Sequence, residues 1–137
     1  MITRAAPPRS TTPPIRRNIA PEGAKALFDI HHYVTKKTNL PEELVHRVVK
    51  RESRYNPSAY SKGNYGLMQI RYNTAKAMGY DGPADGLFDA ETNIKYAVKY
   101  LKGAWVVADN DHDQAVRLYA RGYYYDAKRK GLLHLTR

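Results

Sequence analysis

Glu52-Ser53 and, thirteen residues after Ser53, Gly66-Leu67-Met68-Gln69 are the residues whose types and spacing can do chemistry. Val49, Val48 and Val45 lie three, four and seven positions before Glu52. At the helical repeat they share one face with it. A carboxyl on an apolar stripe is held above its ordinary pKa, because low-dielectric surroundings disfavour the charged form. Such a glutamic acid can deliver a proton near neutral pH. Gln69 carries an amide that both donates and accepts, on a segment where Gly63 and Gly66 permit tight backbone paths. The alternative for Glu52 is a structural acid paired with a basic residue, since carboxylates are seldom buried without a partner or a task.

The elements that must hold these groups are helical. Ala26, Leu27, Ile30 and Val34 recur at helical spacing from Pro21 to Lys37, before a break at Thr38-Asn39-Leu40-Pro41. Pro41 suits a first helical position, with Glu42 and Glu43 favoured at the positive end of the dipole. That helix is expected to run to Ser53 and to stop before Tyr55-Asn56-Pro57, because the residue before proline avoids helical torsions. The stretch from Tyr60 to Tyr72 reads as loop or a short β excursion. Asn73 is expected to cap a short helix ending at Gly79, and 81–87 to be loop. Asp89 is expected to cap a longer helix whose core stripe is Ile94, Ala97, Val98, Leu101 and Trp105. After a polar turn at 109–113, a last helical region carries Ala115, Val116, Leu118 and Tyr119, then Tyr123-Tyr124-Tyr125. No period-2 strand and no internal repeat stand out, so the fold class is mainly α.

At 137 residues the chain is expected to form one domain, 21–137, behind a basic Pro-rich tail at 1–20 that reads as flexible. Cysteine is absent, which excludes disulfides and thiolate chemistry. No stretch has the run of about 18 to 20 apolar residues that a membrane span needs, and the first residues lack the apolar core of a signal peptide. The net charge of +10 points to an anionic partner: nucleic acid, a membrane surface or an acidic cell-wall polymer.

Glu52-Ser53, Tyr55-Asn56-Pro57, Gly66-Leu67-Met68-Gln69, Thr74-Ala75, Asn93-Ile94, Tyr100-Leu101 and Leu118-Tyr119 fall in an order and spacing that resembles the lytic transglycosylases. More narrowly, residues 40 to 125 resemble the soluble-lytic-transglycosylase catalytic domain, which has a goose-type-lysozyme-like fold. The resemblance implies a lysozyme-like helical domain with a substrate cleft. It implies cleavage of the β-1,4 bond between N-acetylmuramic acid and N-acetylglucosamine without added water, leaving a 1,6-anhydro ring. One carboxylate serves as acid and then base, and the substrate's N-acetyl group stabilises C1. It needs no cofactor and no metal. The partners so implied are peptidoglycan strands, not nucleic acid, met by a monomer in the periplasm or cell envelope.

Carried over by position, the resemblance makes Glu52 catalytic and assigns substrate contacts to Ser53, Gly66, Met68 and Gln69. Each has a plainer reading: Ser53 as a helix-end polar residue, Met68 as core, Gln69 as a loop-stabilising amide. Tyr119 matches the family tyrosine that orients the glutamate through its hydroxyl. Tyr123 and Tyr124 follow and can line the cleft; the alternative is that one faces core and the other solvent. The chain departs from the family's Ala-Tyr-Asn-x-Gly at Leu118-Tyr119-Ala120-Arg121-Gly122, where Ala120 replaces the asparagine.

No second acid is expected beside Glu52. Asp81, Asp85, Asp89 and Glu91 read as caps and turns, Glu42 and Glu43 as dipole partners. Asp109 to Asp113 resembles the start of a calcium loop, but Gln114 stands where that loop needs glycine and Ala120 where it needs glutamate. His31-His32 lacks a matching zinc constellation, and no nucleophile-elbow motif is present. The competing class is a basic binding module, for nucleic acid or as a catalytically silent wall adaptor, although no recognised nucleic-acid motif occurs.

Overall fold

The structure, a computed structural model, describes residues 38–136. The 1–20 tail, the expected helix to Lys37 and His31-His32 lie outside the described residues. What is described is mainly helical, as expected, with one small sheet.

Helix α1 (Glu42–Ser53) buries Leu44, Val45, Val48 and Val49, the face predicted from the valine spacing. Pro41 is its N-cap rather than its first turn, with extended torsions (φ −62°, ψ 128°). The helix ends where expected. The device is a left-handed Arg54 (φ 54°) whose N–H returns to the carbonyls of Val49 and Lys50.

Of the two readings open to Tyr60–Tyr72, the short β excursion holds, as a three-stranded antiparallel sheet: β1 (Tyr60–Ser61), β2 (Asn64–Tyr65) and β3 (Ile70–Arg71). Strands of two residues are too short to show alternation. Lys62 and Gly63, both at positive φ, form the tight turn that joins β1 to β2. Strand β3 passes directly into α2 (Tyr72–Ala77), so Arg71 occupies the N-cap and Asn73 falls inside the helix instead of capping it. Ala84–Phe88, expected as loop, is a 3₁₀ turn.

Helix α3 (Ala90–Val107) is the spine of the core, capped as predicted by Asp89, which accepts from the Thr92 N–H at 3.0 Å. Ile94, Ala97, Val98 and Leu101 are buried as expected. Trp105 is only half-buried, edge-on to His112 at 5.1 Å, and Ala104 and Val107 complete the stripe. Asp111 caps α4 (His112–Arg121). The last helical region splits, because Gly122 at φ 96° ends α4 before α5 (Tyr124–Arg129) begins. Helix α4 packs chiefly on α3 and also touches α1, which brings Tyr119 toward the end of α1.

Candidate active site

One cleft of about 370 Å³ collects the residues on which the sequence reading turned. Helix α1 supplies Arg51 and Glu52 from its last turn, β2 supplies Asn64, and Gln69 precedes Ile70 and Arg71 of β3. Helix α2 adds Thr74 and α3 adds Tyr100; α4 adds Tyr119, Ala120 and Arg121, and Gly122 follows.

Glu52 is at the boundary between core and cleft, with its side chain 22% exposed. Burial raises its pKa, and the neighbouring Arg51 guanidinium, 3.9 Å away, only partly opposes the rise. Among the described residues lining the cleft, Glu52 is the one acid. Four other acids are engaged elsewhere: Asp113 pairs with Arg47 at 2.7 Å, Asp111 and Asp89 cap helices, and Asp126 bridges Arg121 and Arg129. Asp113 and Asp126 are held below the usual carboxylate range by their arginine partners. The calcium-loop stretch is therefore a helix cap plus an ion pair, and no group of acids and histidines among the described residues is arranged to hold a metal.

The glycine-led segment is fixed by one amide that the sequence reading gave no role. Asn93 is fully buried on α3. Its Oδ1 accepts from the Met68 N–H at 2.9 Å, and its Nδ2 donates to the carbonyls of Tyr65 and Leu87 at 2.8 Å each. Gly66 is required by this arrangement. It stands at φ 73°, and a Cβ there would collide with Asn93 Nδ2 and lie 2.6 Å from the Leu87 carbonyl. The signal for Asn93 was available: it lies four residues before Ala97 and eight before Leu101, a polar residue on a buried stripe, as Glu52 is on α1.

Gln69 follows at φ 52°, a sparsely populated region for a residue with a side chain. Its Nε2 donates to the carbonyls of Ala59 (3.1 Å) and Gly66 (3.0 Å). Both amide protons are thus committed to the loop, which leaves Oε1 as the atom this cleft residue can offer a ligand. The loop-stabilising reading of Gln69 thus holds for Nε2, and a ligand contact by its side chain would fall to Oε1.

Other predicted contacts fall differently. Met68 is fully buried, so its thioether packs in the core and only its backbone serves the site. The Ser53 hydroxyl donates to the Val49 carbonyl of its own helix at 3.3 Å and does not line the cleft. Tyr123 is buried, stacked on Tyr100 at 4.7 Å, with its hydroxyl donating to the Tyr100 carbonyl. Tyr124 is 48% exposed beside Tyr125, outside the cleft. One faces core and the other solvent.

Tyr119 reaches the site but not as expected. Its hydroxyl donates to the Met68 carbonyl at 2.7 Å, tying α4 to the loop that carries Gln69. Burial, and then the nearby Glu52 charge, hold this phenol well above its ordinary pKa, so it remains protonated. A phenol has one proton. Toward Glu52 its oxygen can therefore only accept, a role open to it when Glu52 is protonated.

A mainly helical domain with one small sheet, and a cleft lined by the half-buried Glu52 and by Gln69, fits a lysozyme-like fold. The chain belongs to the transglycosylase SLT domain family, whose model matches residues 30–131. No solved structure matches the chain. Membership supports lytic transglycosylase activity on peptidoglycan in general, in a family that typically works outside the cytoplasm. No helix among the described residues is long and apolar enough to cross a membrane.

Proposed function

We propose that Glu52 alone performs the acid–base chemistry and that the product carries a 1,6-anhydro-N-acetylmuramic acid end. The observation that supports this is a raised, half-buried Glu52 as the one carboxyl among the described cleft residues. A hydrolase of the two-carboxylate type needs a second acid across the scissile bond, and substrate-assisted enzymes do not.

In the first step the Glu52 carboxyl gives its proton to the glycosidic oxygen as the bond from that oxygen to C1 of the muramic sugar breaks. The acetamido oxygen of the same sugar closes onto C1 and takes up the positive charge. In the second step the Glu52 carboxylate removes the proton of the C6 hydroxyl. O6 then bonds to C1, the acetamido oxygen leaves, and Glu52 is again protonated. No water enters, and the products together weigh what the substrate weighed. In this reading the Oε1 of Gln69 accepts from a substrate hydroxyl or N–H, and Tyr100, which lines the cleft, packs against a sugar ring. The protein works on glycan strands as a monomer in the periplasm or envelope, with 21–137 as the catalytic domain behind the basic tail.

The test is the mass of muropeptides released from purified sacculi by wild type and by Glu52→Gln. Anhydro products from wild type, reduced by about 10²- to 10⁴-fold in the variant, are the expected result. Products one water heavier make it a lysozyme-type hydrolase. No release by wild type, with strands still bound, makes it a silent wall-binding module.

A further inference from the structure

Three guanidinium groups meet the cleft, and two of them have a carboxylate. Arg51 lies 3.9 Å from Glu52, and Arg121 donates to Asp126 at 3.0 Å. Arg71 has no hydrogen-bond or ion-pair partner among the described residues. It stands on β3 directly opposite Asn64 of β2, so the two share the cleft face of the sheet. Its guanidinium passes over Gly63: Nη1 lies 3.3 Å from where a Cβ at that position would be. The turn at 62–63 needs positive φ for its own geometry. A glycine there also leaves the arginine room to lie across the hairpin.

The charge balance of this cleft changes with the proposed cycle. When Glu52 is protonated and ready to act, Arg51 loses its counter-charge, and Arg71 has none among the described residues. A neutral ligand would leave both cations uncompensated beside it. A ligand with a carboxylate would meet an unengaged planar fork, the geometry that binds carboxylates through two parallel hydrogen bonds.

We infer that Arg71 is a specificity-determining residue that binds a carboxylate appended to the muramic sugar, so that the cleft prefers such strands to neutral β-1,4-linked N-acetylglucosamine polymers. The carboxylate is either the free lactyl group of a peptide-free strand or a carboxylate of an attached stem peptide. The inference rests on the reading of this cleft as the glycan site, and it concerns binding rather than bond cleavage.

The test uses Glu52→Gln as a non-cleaving background, with and without Arg71→Gln. Each protein is titrated calorimetrically with neutral N-acetylglucosamine oligomers, with peptide-free glycan, and with peptide-bearing strands. Loss of Arg71 is expected to weaken binding of carboxylate-bearing strands by about tenfold, a difference of about 1.4 kcal/mol, and to leave the neutral oligomers unchanged. Weakening on peptide-bearing strands alone assigns the stem-peptide carboxylate; weakening on peptide-free glycan assigns the lactyl group. Arg71→Lys keeps the charge but loses the fork, and is expected to recover only part of the affinity. Equal weakening on neutral oligomers, or unchanged affinity for every anionic strand, overturns the inference. Because the readout is binding, it holds or fails whether or not the wild type releases anhydro products.

Discussion

Replacing Asn93 by alanine tests whether one buried amide holds the substrate loop onto α3. The side chain is fully buried and its amide serves three backbone groups: the Met68 N–H and the carbonyls of Leu87 and Tyr65. Alanine strands all three. The bonds to Met68 and Leu87 are buried, and leaving such groups without partners costs about 1 to 3 kcal/mol each. The bond to Tyr65 is part-buried, so that carbonyl can turn to water and adds little. A water entering the space the amide vacates would satisfy one of the others. The expected loss is therefore about 1 to 3 kcal/mol, a large share of the roughly 5 to 15 kcal/mol that holds an ordinary domain together. Urea unfolding followed by circular dichroism measures it as a lower midpoint with an unchanged slope. Activity should fall further than stability requires, because Gln69 rides on the same segment. A loss below about 1 kcal/mol with activity intact would refute the reasoning.

Three further outcomes follow from the same geometry. Activity should decline as pH rises through the folded pKa of Glu52, because the acid must be protonated to act and burial sets that pKa above its ordinary value; a rate unchanged into alkaline conditions counts against Glu52. The stability linkage has a matching sign. Glu52 contributes no penalty below its unfolded pKa and a growing one as pH rises through the folded value. Glu52→Gln should therefore match wild type in acid and exceed it in thermal stability above that range. Gly66→Ala should destabilise by roughly 2 to 4 kcal/mol, from left-handed strain and from a Cβ pressed onto Asn93 and Leu87. Thermal unfolding reads this loss, and a variant within about 0.5 kcal/mol of wild type would show that the loop yields.

Much of the frame was legible in the residues because the physics involved is local. Three valines at helical spacing placed Glu52 on the buried face of α1, and Asp89 announced the start of α3, since a cap bonds to an N–H within the first turn of the helix it precedes. Gly66 was legible as a glycine with a reason. The charge of the chain was legible too, although not which cleft arginine lacks a partner among the described residues.

Tertiary structure decided the rest, for one physical reason: the deciding contacts join residues far apart in sequence. Asn93 meets Met68 across 25 residues and Tyr119 meets it across 51, distances over which no periodicity carries information. Those contacts put the Met68 side chain in the core and its carbonyl under a tyrosine. They also turned the Tyr119 hydroxyl away from donating to Glu52. The β excursion could be read only as one of two options, because strands of two residues show no alternation, and its pairing places Arg71 beside Asn64 at the cleft. Types and spacing along the chain determined which side chain can move a proton. Packing between distant segments determined what surrounds that carboxyl, which side-chain atoms the loop leaves unengaged, and which cation of the cleft has no counter-charge among the described residues.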